Sequence, residues 1–414
     1  MGWTTGQRRI VAAATATGVA AALALVAYRV LAPAEVSTTA RGDYPALSRP
    51  APGVVGRLPV APLIVDGRLR VYAAQRQVYA DQPADGRHRS TPYWSYRRWP
   101  ATLDAVVASG TTVVSRWSDG DLVALDARTG QVTWRATGPE PARKRAARRT
   151  GTAVVWAPRG LSVVRTADGR DAVVSSGAGE MRAVDLAGGA QLWRAEVELD
   201  CREPIGSSTS GQLLTVEHCD GPAVVEFRDA ATGAVDDRWR PSEAGDELTA
   251  TLIGCGPTGC AGLRTAGPGD VATRGWLLGP GGPVPAPMLD GPDAELFDAT
   301  AVTLANGVLT GRAVRNGTER WRASVGPGRL IAVQSGRAHV LTEKNELVTL
   351  ELTTGRQLSR FVLNAGSDGT GWALGTAYAA DGYVVVERLR RPIDPDGDDH
   401  AYYFTAEPLI LAAT

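Results

Sequence analysis

The stretch Leu122 to Ala136 reads LVALDARTGQVTWRA, and Met181 to Ala195 reads MRAVDLAGGAQLWRA. Without a gap, Asp126 falls on Asp185, Gly130 on Gly189, Trp134 on Trp193 and Arg135 on Arg194. This repeat constrains the fold more than any other feature, because self-similarity at such a spacing marks an array of stacked or radial units. Weaker copies follow. FRDAATGAV keeps Asp229 and Gly233. AVRNGTERWRA keeps Gly317, Trp321, Arg322 and Ala323, with Ala313 in place of the acid. LVTLELTTGRQLSR has Glu351, Gly355 and Arg360, with Ser359 in place of the tryptophan. Each copy reads as strand, acidic residue, tight turn, strand. The glycine suits a turn position of positive φ, the acid accepts from turn amides, and the indole is large enough to fill the gap between neighbouring sheets.

Around these copies there is no long stretch of helical period. From about residue 58 the chain is cut into short runs rich in Val, Leu, Ile, Tyr and Trp, separated by glycine turns. Between Asp104 and Ala136, the turns at Ser109-Gly110, Asp119-Gly120 and Thr129-Gly130 separate AVVA, TVVSRW, LVALD and VTWR. Four short strands in sequential antiparallel order form a meander, which is one propeller blade. The turn glycines Gly86, Gly130, Gly189, Gly233, Gly282, Gly317, Gly355 and Gly397 lie on average about 44 residues apart, within the ~40–50 residues a blade occupies. The expected fold is an all-β propeller of four-stranded antiparallel blades. Eight blades follow from eight turns, with seven as the alternative because Gly86, Gly282 and Gly397 are weak members of the series. Closing the ring removes exposed sheet edges; the terminal run PLILAAT and the early run RLRVYAAQRQVYA are the candidates for that closure.

Ahead of the propeller, Ile10 to Tyr28 is uncharged. At ~1.5 Å per residue it spans roughly 28 Å, close to the hydrocarbon thickness of a bilayer. Arg8 and Arg9 precede it, so the positive-inside rule keeps residues 1–9 cytoplasmic and exports the rest. We read 10–31 as a transmembrane anchor, the alternative being a signal peptide cleaved at Ala32-Pro33-Ala34. Residues 32–57, rich in Pro, Ala, Ser, Thr and Gly, read as a linker, and 58–414 as the propeller. The expected location is the cell membrane, single-pass, with the propeller extracytoplasmic.

Cysteine usage fits export. Cys201, Cys219, Cys255 and Cys260 include no C-x-x-C pair. A hairpin around Cys255-Gly-Pro-Thr-Gly-Cys260 brings two sulfurs face to face, and Cys201 and Cys219 end neighbouring strand-like runs. We therefore expect disulfides 201–219 and 255–260. Lys+Arg and Asp+Glu are both 44, a balance that argues against nucleic acid as a partner. Hydrophobic residues at 44% with charged residues at 21% exclude both disorder and a multi-span transporter.

The run Ala124-Leu125-Asp126-Ala127-Arg128-Thr129-Gly130-Gln131-Val132-Thr133-Trp134 resembles the A-x-D-x-x-T-G-x-x-x-W tryptophan-docking motif of the pyrroloquinoline-quinone (PQQ)-like β-propeller family. Ala183, Asp185, Gly189 and Trp193 match it again, with Gly188 where the family has Thr. The resemblance extends over roughly residues 58–414, and it implies a choice between two functions. The quinoprotein dehydrogenases of the family set two adjacent cysteines against PQQ and hold calcium with Glu, Asn and Asp. Here no cysteines are adjacent, and no stretch takes those calcium and catalytic positions. The matching motif is architectural, so the resemblance implies a non-catalytic module without cofactor, metal or catalytic residues, binding a protein or ligand of the cell envelope through its loops. An exported PQQ-dependent dehydrogenase is the alternative.

Other chemistry is weaker. His88, His218, His339 and His400 lack metal-ligand spacing. The acids of Asp394-Pro-Asp396-Gly-Asp398-Asp399 resemble the start of a calcium loop, but the glycine falls too early and Thr405 stands where such a loop ends in Glu. A solvated hairpin tip is the better reading. The basic run PARKRAARR, 141–149, reads as an inter-blade loop.

Overall fold

The computed structural model describes residues 14–15, 17–21, 34–86, 91–142, 152–156, 158–219, 221–241, 248–256, 259–267, 273–363, 372–390 and 406–414. They form eight antiparallel sheets, each numbered here as a blade from its innermost strand outward. Blade 1 is built from Leu63–Val65, Leu69–Ala74, Gln77–Asp81 and Trp94–Arg98. Blades 2 to 7 occupy 103–137, 161–196, 202–239, 249–285, 295–324 and 328–362. Blade 8 takes Ala373–Ala380, Tyr383–Leu389 and Ala406–Ala413 from the end of the chain and Gly53–Leu58 from its beginning.

Burial follows from this packing. A blade is covered by a neighbour on both sides, so its middle strands are apolar on both faces. Tyr383–Leu389 is buried at every position, and Thr112–Trp117 at all but the first. The outermost strands meet solvent, and there Val132–Thr137 and Gln191–Glu196 bury one side chain each, the tryptophan. The alternating direction of the strands defines two faces. The loop face carries the connections between blades and those between second and third strands. The turn face carries the other hairpins.

Closure differs in part from the sequence expectation. PLILAAT does take part, since Arg57 pairs with Ile410 and Leu58 with Leu409. RLRVYAAQRQVYA does not; it forms the hairpin between the second and third strands of blade 1. The residues read as a linker carry two strands. Glu35–Thr38 adds a fifth, outermost strand to blade 1, with Glu35 opposite Arg98. Gly53–Leu58 closes blade 8. The residues between them stay bound to the ring, with Ala40 N–H donating to Thr129 O at 2.8 Å and Arg41 N–H to Tyr93 O at 3.0 Å. A sheet edge left open would expose unpaired amides and carbonyls, and this early segment covers two of them.

Of the segment expected to cross the membrane, only Ala14, Thr15 and Thr17 to Ala21 are described, and they are helical. No helix among the described residues is long and apolar enough to cross a membrane. Gly397, the acidic stretch 394–399 and residues 143–149 of the basic run lie outside the described residues.

Candidate functional site

The motif residues act between blades. Trp134 Nε1 donates to Leu186 O at 2.8 Å, and Trp193 Nε1 to Ala230 O at 2.8 Å. Each acceptor follows the acidic residue of the next blade's turn. The same bond joins Trp94 to Ala127 O at 2.7 Å and Trp321 to Leu352 O at 2.6 Å. The indole lies against the turn glycine. A Cβ on Gly189 would fall 2.7 Å from Trp134 Cδ2, and one on Gly130 2.4 Å from Trp94 Cβ. Both glycines have positive φ, so both sterics and backbone require them. Asp126 Oδ1 accepts from Arg128 N–H at 2.8 Å, and Asp185 Oδ2 from Gly188 N–H at 2.8 Å, which holds each turn. Ala124 and Ala183 are fully buried opposite Trp134 and Trp193, where a larger side chain would displace the indole.

Sequence reading overlooked Trp94 as a member of this series. The connection before it, residues 82–93, is long, so the tryptophan has lost its fixed offset from a turn glycine. Between blades 5 and 6, Met288 of a 3₁₀ turn lies over Gly317 instead, its sulfur 3.2 Å from the Cβ position.

The loop face gathers the longest connections. The one between blades 2 and 3 ends in a helical turn, Thr152–Val155. Val154 and Val155 are buried in the cluster that holds Leu63, Val106 and Tyr378, from the inner strands of blades 1, 2 and 8. Trp156 then stacks on Tyr378 with ring centroids 4.3 Å apart and remains 38% exposed. This segment therefore reaches into the centre of the ring. The Tyr378 hydroxyl donates to Pro62 O, and burial raises its pKa far above that of a free phenol. Two arginines, Arg116 buried and Arg264 half-buried, hold these connections by their carbonyls. Arg116 donates to Arg159 O at 2.8 Å, Ser176 O at 3.0 Å and Gly160 O, with Asp104 balancing its charge. Arg264 does the same for the connection between blades 5 and 6, through Leu289 O at 3.1 Å and Pro292 O at 2.9 Å.

The cysteines form two disulfides. Cys201–Cys219 ties two loop-face connections at blade 4, with a Cα–Cα distance of 5.0 Å. Cys255–Cys260 joins directly opposed residues of a turn-face hairpin in blade 5, and Cys260 O accepts from Thr209 N–H of blade 4 at 2.9 Å. Glu198, Cys201 and Cys219 lie within metal-ligand distance of one another, but a disulfide offers no thiolate to a metal. The residues also do not fit PQQ as the quinoproteins hold it. The closest cysteine pair in sequence lies on the turn face, away from the ring centre into which Val154, Val155 and Trp156 insert. His339 is wholly buried, bonded to Gln334 at 2.8 Å and Thr349 at 3.1 Å, and belongs to the core.

A sequence profile described as outer membrane protein assembly factor BamB matches residues 29–235, half of the chain. No curated protein sequence matches the chain. Among solved structures, BamB from Moraxella catarrhalis is similar at 15% identity, with 89% of this chain and 99% of that one covered and a TM-score of 0.45. The C-terminal WD40 domain of Sif2 is similar at 10% identity, 88% and 98% coverage and a TM-score of 0.45. U3-55K follows at 9% identity, 77% and 97% coverage and a TM-score of 0.40.

Proposed function

We propose, from the premise that this chain belongs to the PQQ-like β-propeller repeat family, that it is a non-catalytic binding module of the cell envelope. In this reading residues 10–31 anchor it in the membrane, the propeller stands outside the cytoplasm, and the loop face holds an envelope protein or polymer. The observation that carries the reading is where the motif residues are used. Asp126, Gly130, Trp134, Asp185, Gly189 and Trp193 form blade-to-blade contacts, and the four cysteines form disulfides, so the residues that mark the family serve architecture. Two disulfides favour an oxidising compartment. The matching profile carries the name of an assembly factor, and a scaffolding role is consistent with that name.

Addition of PQQ and calcium to the purified protein tests the reading. We expect no change in its absorbance or melting temperature. A saturable spectral shift together with PQQ-dependent oxidation of an alcohol would make it a quinoprotein dehydrogenase instead. Photo-crosslinkers placed at Trp156 on the loop face and at Thr354 on the turn face then locate the partner. Adducts are expected from the first position and not from the second.

A further inference from the structure

We propose that the loop-face rim of blade 1, built on Trp99 and Arg76, lies in the headgroup layer of the membrane that holds the anchor. The inference rests on the anchor of the preceding section and deepens it, because the structure fixes where the chain leaves the ring. Ala34 O accepts from Trp99 N–H at 2.8 Å. From Glu35 onward the chain is paired with Trp94–Arg98. The Glu35 carboxylate is clamped by Arg135 Nη2 at 2.6 Å and Arg98 Nε at 3.4 Å. The uncharged run ends at Tyr28 and Arg29 follows it, so six residue steps separate it from the attachment at Ala34. Fully extended, they reach ~20 Å. The headgroup region on each side of a bilayer is roughly 5–8 Å thick. The chain thus keeps Trp99 within ~20 Å of the hydrocarbon core and within reach of the headgroups, and with 35–38 paired into blade 1 and 53–58 into blade 8, residues 32–57 cannot act as a stalk that lifts the propeller away.

The side chains present at that point suit such a place. Trp99 is 44% exposed, and the Arg76 guanidinium lies 5.9 Å from its ring centroid. Arg97 and Pro100 are exposed beside it. Tryptophan prefers the membrane–water interface, where its ring is half in apolar surroundings and its N–H is wet. An arginine at the same level pairs with lipid phosphate. Arg98 is not available for this, since Asp119 at 3.1 Å and Asp121 at 2.8 Å engage it. Contact through blade 1 leaves the loop face of blades 4 to 6, across the ring, farthest from the bilayer and open to a partner.

The test uses the full chain in nanodiscs of phosphatidylethanolamine and phosphatidylglycerol that include a phospholipid with a photoactivatable headgroup. Adducts are mapped by mass spectrometry. We expect them on the peptide around Trp99 and not on the one around Leu358 and Val362 of blade 7. A Gly/Ser insert after Pro33 separates rim binding from mere proximity. The proposal expects the adduct to persist in the lengthened chain and to fall roughly fivefold there with Arg76→Gln, as for the loss of one interfacial arginine. Loss of the adduct on lengthening alone, or equal labelling of blade 7, overturns it. Alkaline carbonate extraction judges the anchor separately. If the chain is released, the anchor reading fails, and labelling of the released chain on vesicles of the same lipids still decides whether the rim binds them.

Discussion

Among single residues, His339 makes the stability of the fold depend on pH. Burial pulls its pKa from 6.5 down to about 3, and the charge of Arg337 adds to the effect. A base with a lowered folded-state pKa stays neutral in the native protein while the unfolded chain takes up a proton. Stability is therefore lost as pH falls below about 6.5, at ~1.4 kcal/mol per pH unit for this one group. Gln334 and Thr349 bind the ring, and Gln334 also accepts from Gly382 N–H at 2.9 Å, so the network ties blade 7 to blade 8. In His339→Gln, the decline in unfolding free energy between pH 6.5 and 4 should be shallower than in the native chain. Parallel curves would remove the histidine from the account. The docking pair gives a second prediction. Trp134→Ala empties a buried site and loses one hydrogen bond, for a cost of about 3–5 kcal/mol by chemical denaturation. Gly189→Ala should destabilise as well, because its methyl would meet the Trp134 ring and its φ is +72°. If Gly189→Ala is neutral, the docking contact is looser than described.

At the scale of elements, the five-residue turn explains what was legible in the sequence. Gly130 N–H donates to Asp126 O at 2.7 Å, Gly189 to Asp185 O at 2.8 Å and Gly233 to Asp229 O at 2.9 Å. Gly317 and Gly355 repeat the bond to Ala313 O and Glu351 O, each at 2.8 Å. The turn survives replacement of its acid because backbone bonds and the glycine define it, which is why degraded copies could still be counted as blades. Two elements were not legible. Glu35–Thr38 and Gly53–Leu58 are contributed to blades whose other strands lie elsewhere in the sequence, so no repeat offset marks them, and their Pro- and Gly-rich surroundings read as linker. The disulfides belong to this scale too. Cys201–Cys219 closes a loop with a separation of 18 residues, for which chain entropy gives about 3 kcal/mol. Cys255–Cys260, with a separation of 5, removes less. The double variant Cys201→Ser/Cys219→Ser should therefore melt lower than Cys255→Ser/Cys260→Ser. The reverse order would show that the turn-face hairpin carries more weight through its bond to Thr209.

At the scale of the whole molecule, the ring is held by a strand from near the start of the chain. Gly53–Leu58 pairs with Ala406–Ala413, and on the turn face Asp381 accepts from Gly67 N–H at 3.0 Å, joining blade 8 to blade 1 again. Arg337 reaches across from blade 7 to Thr414 O. These contacts couple the ends of the array, so the last blade cannot fray as the end of an open solenoid does. They also make the segment before the propeller part of it, which is what fixes blade 1 relative to any anchor upstream. Amide hydrogen exchange resolved across residues 34–58 and 406–414 tests this most directly. The amides of 53–58 that point toward 406–413 are predicted to exchange far more slowly than those of a solvated linker, and the amides of 35–38 that point toward Trp94–Arg98 are predicted to be protected as well. Fast exchange of 53–58 at the rate of a solvated linker, with 409–413 still protected, would contradict this closure.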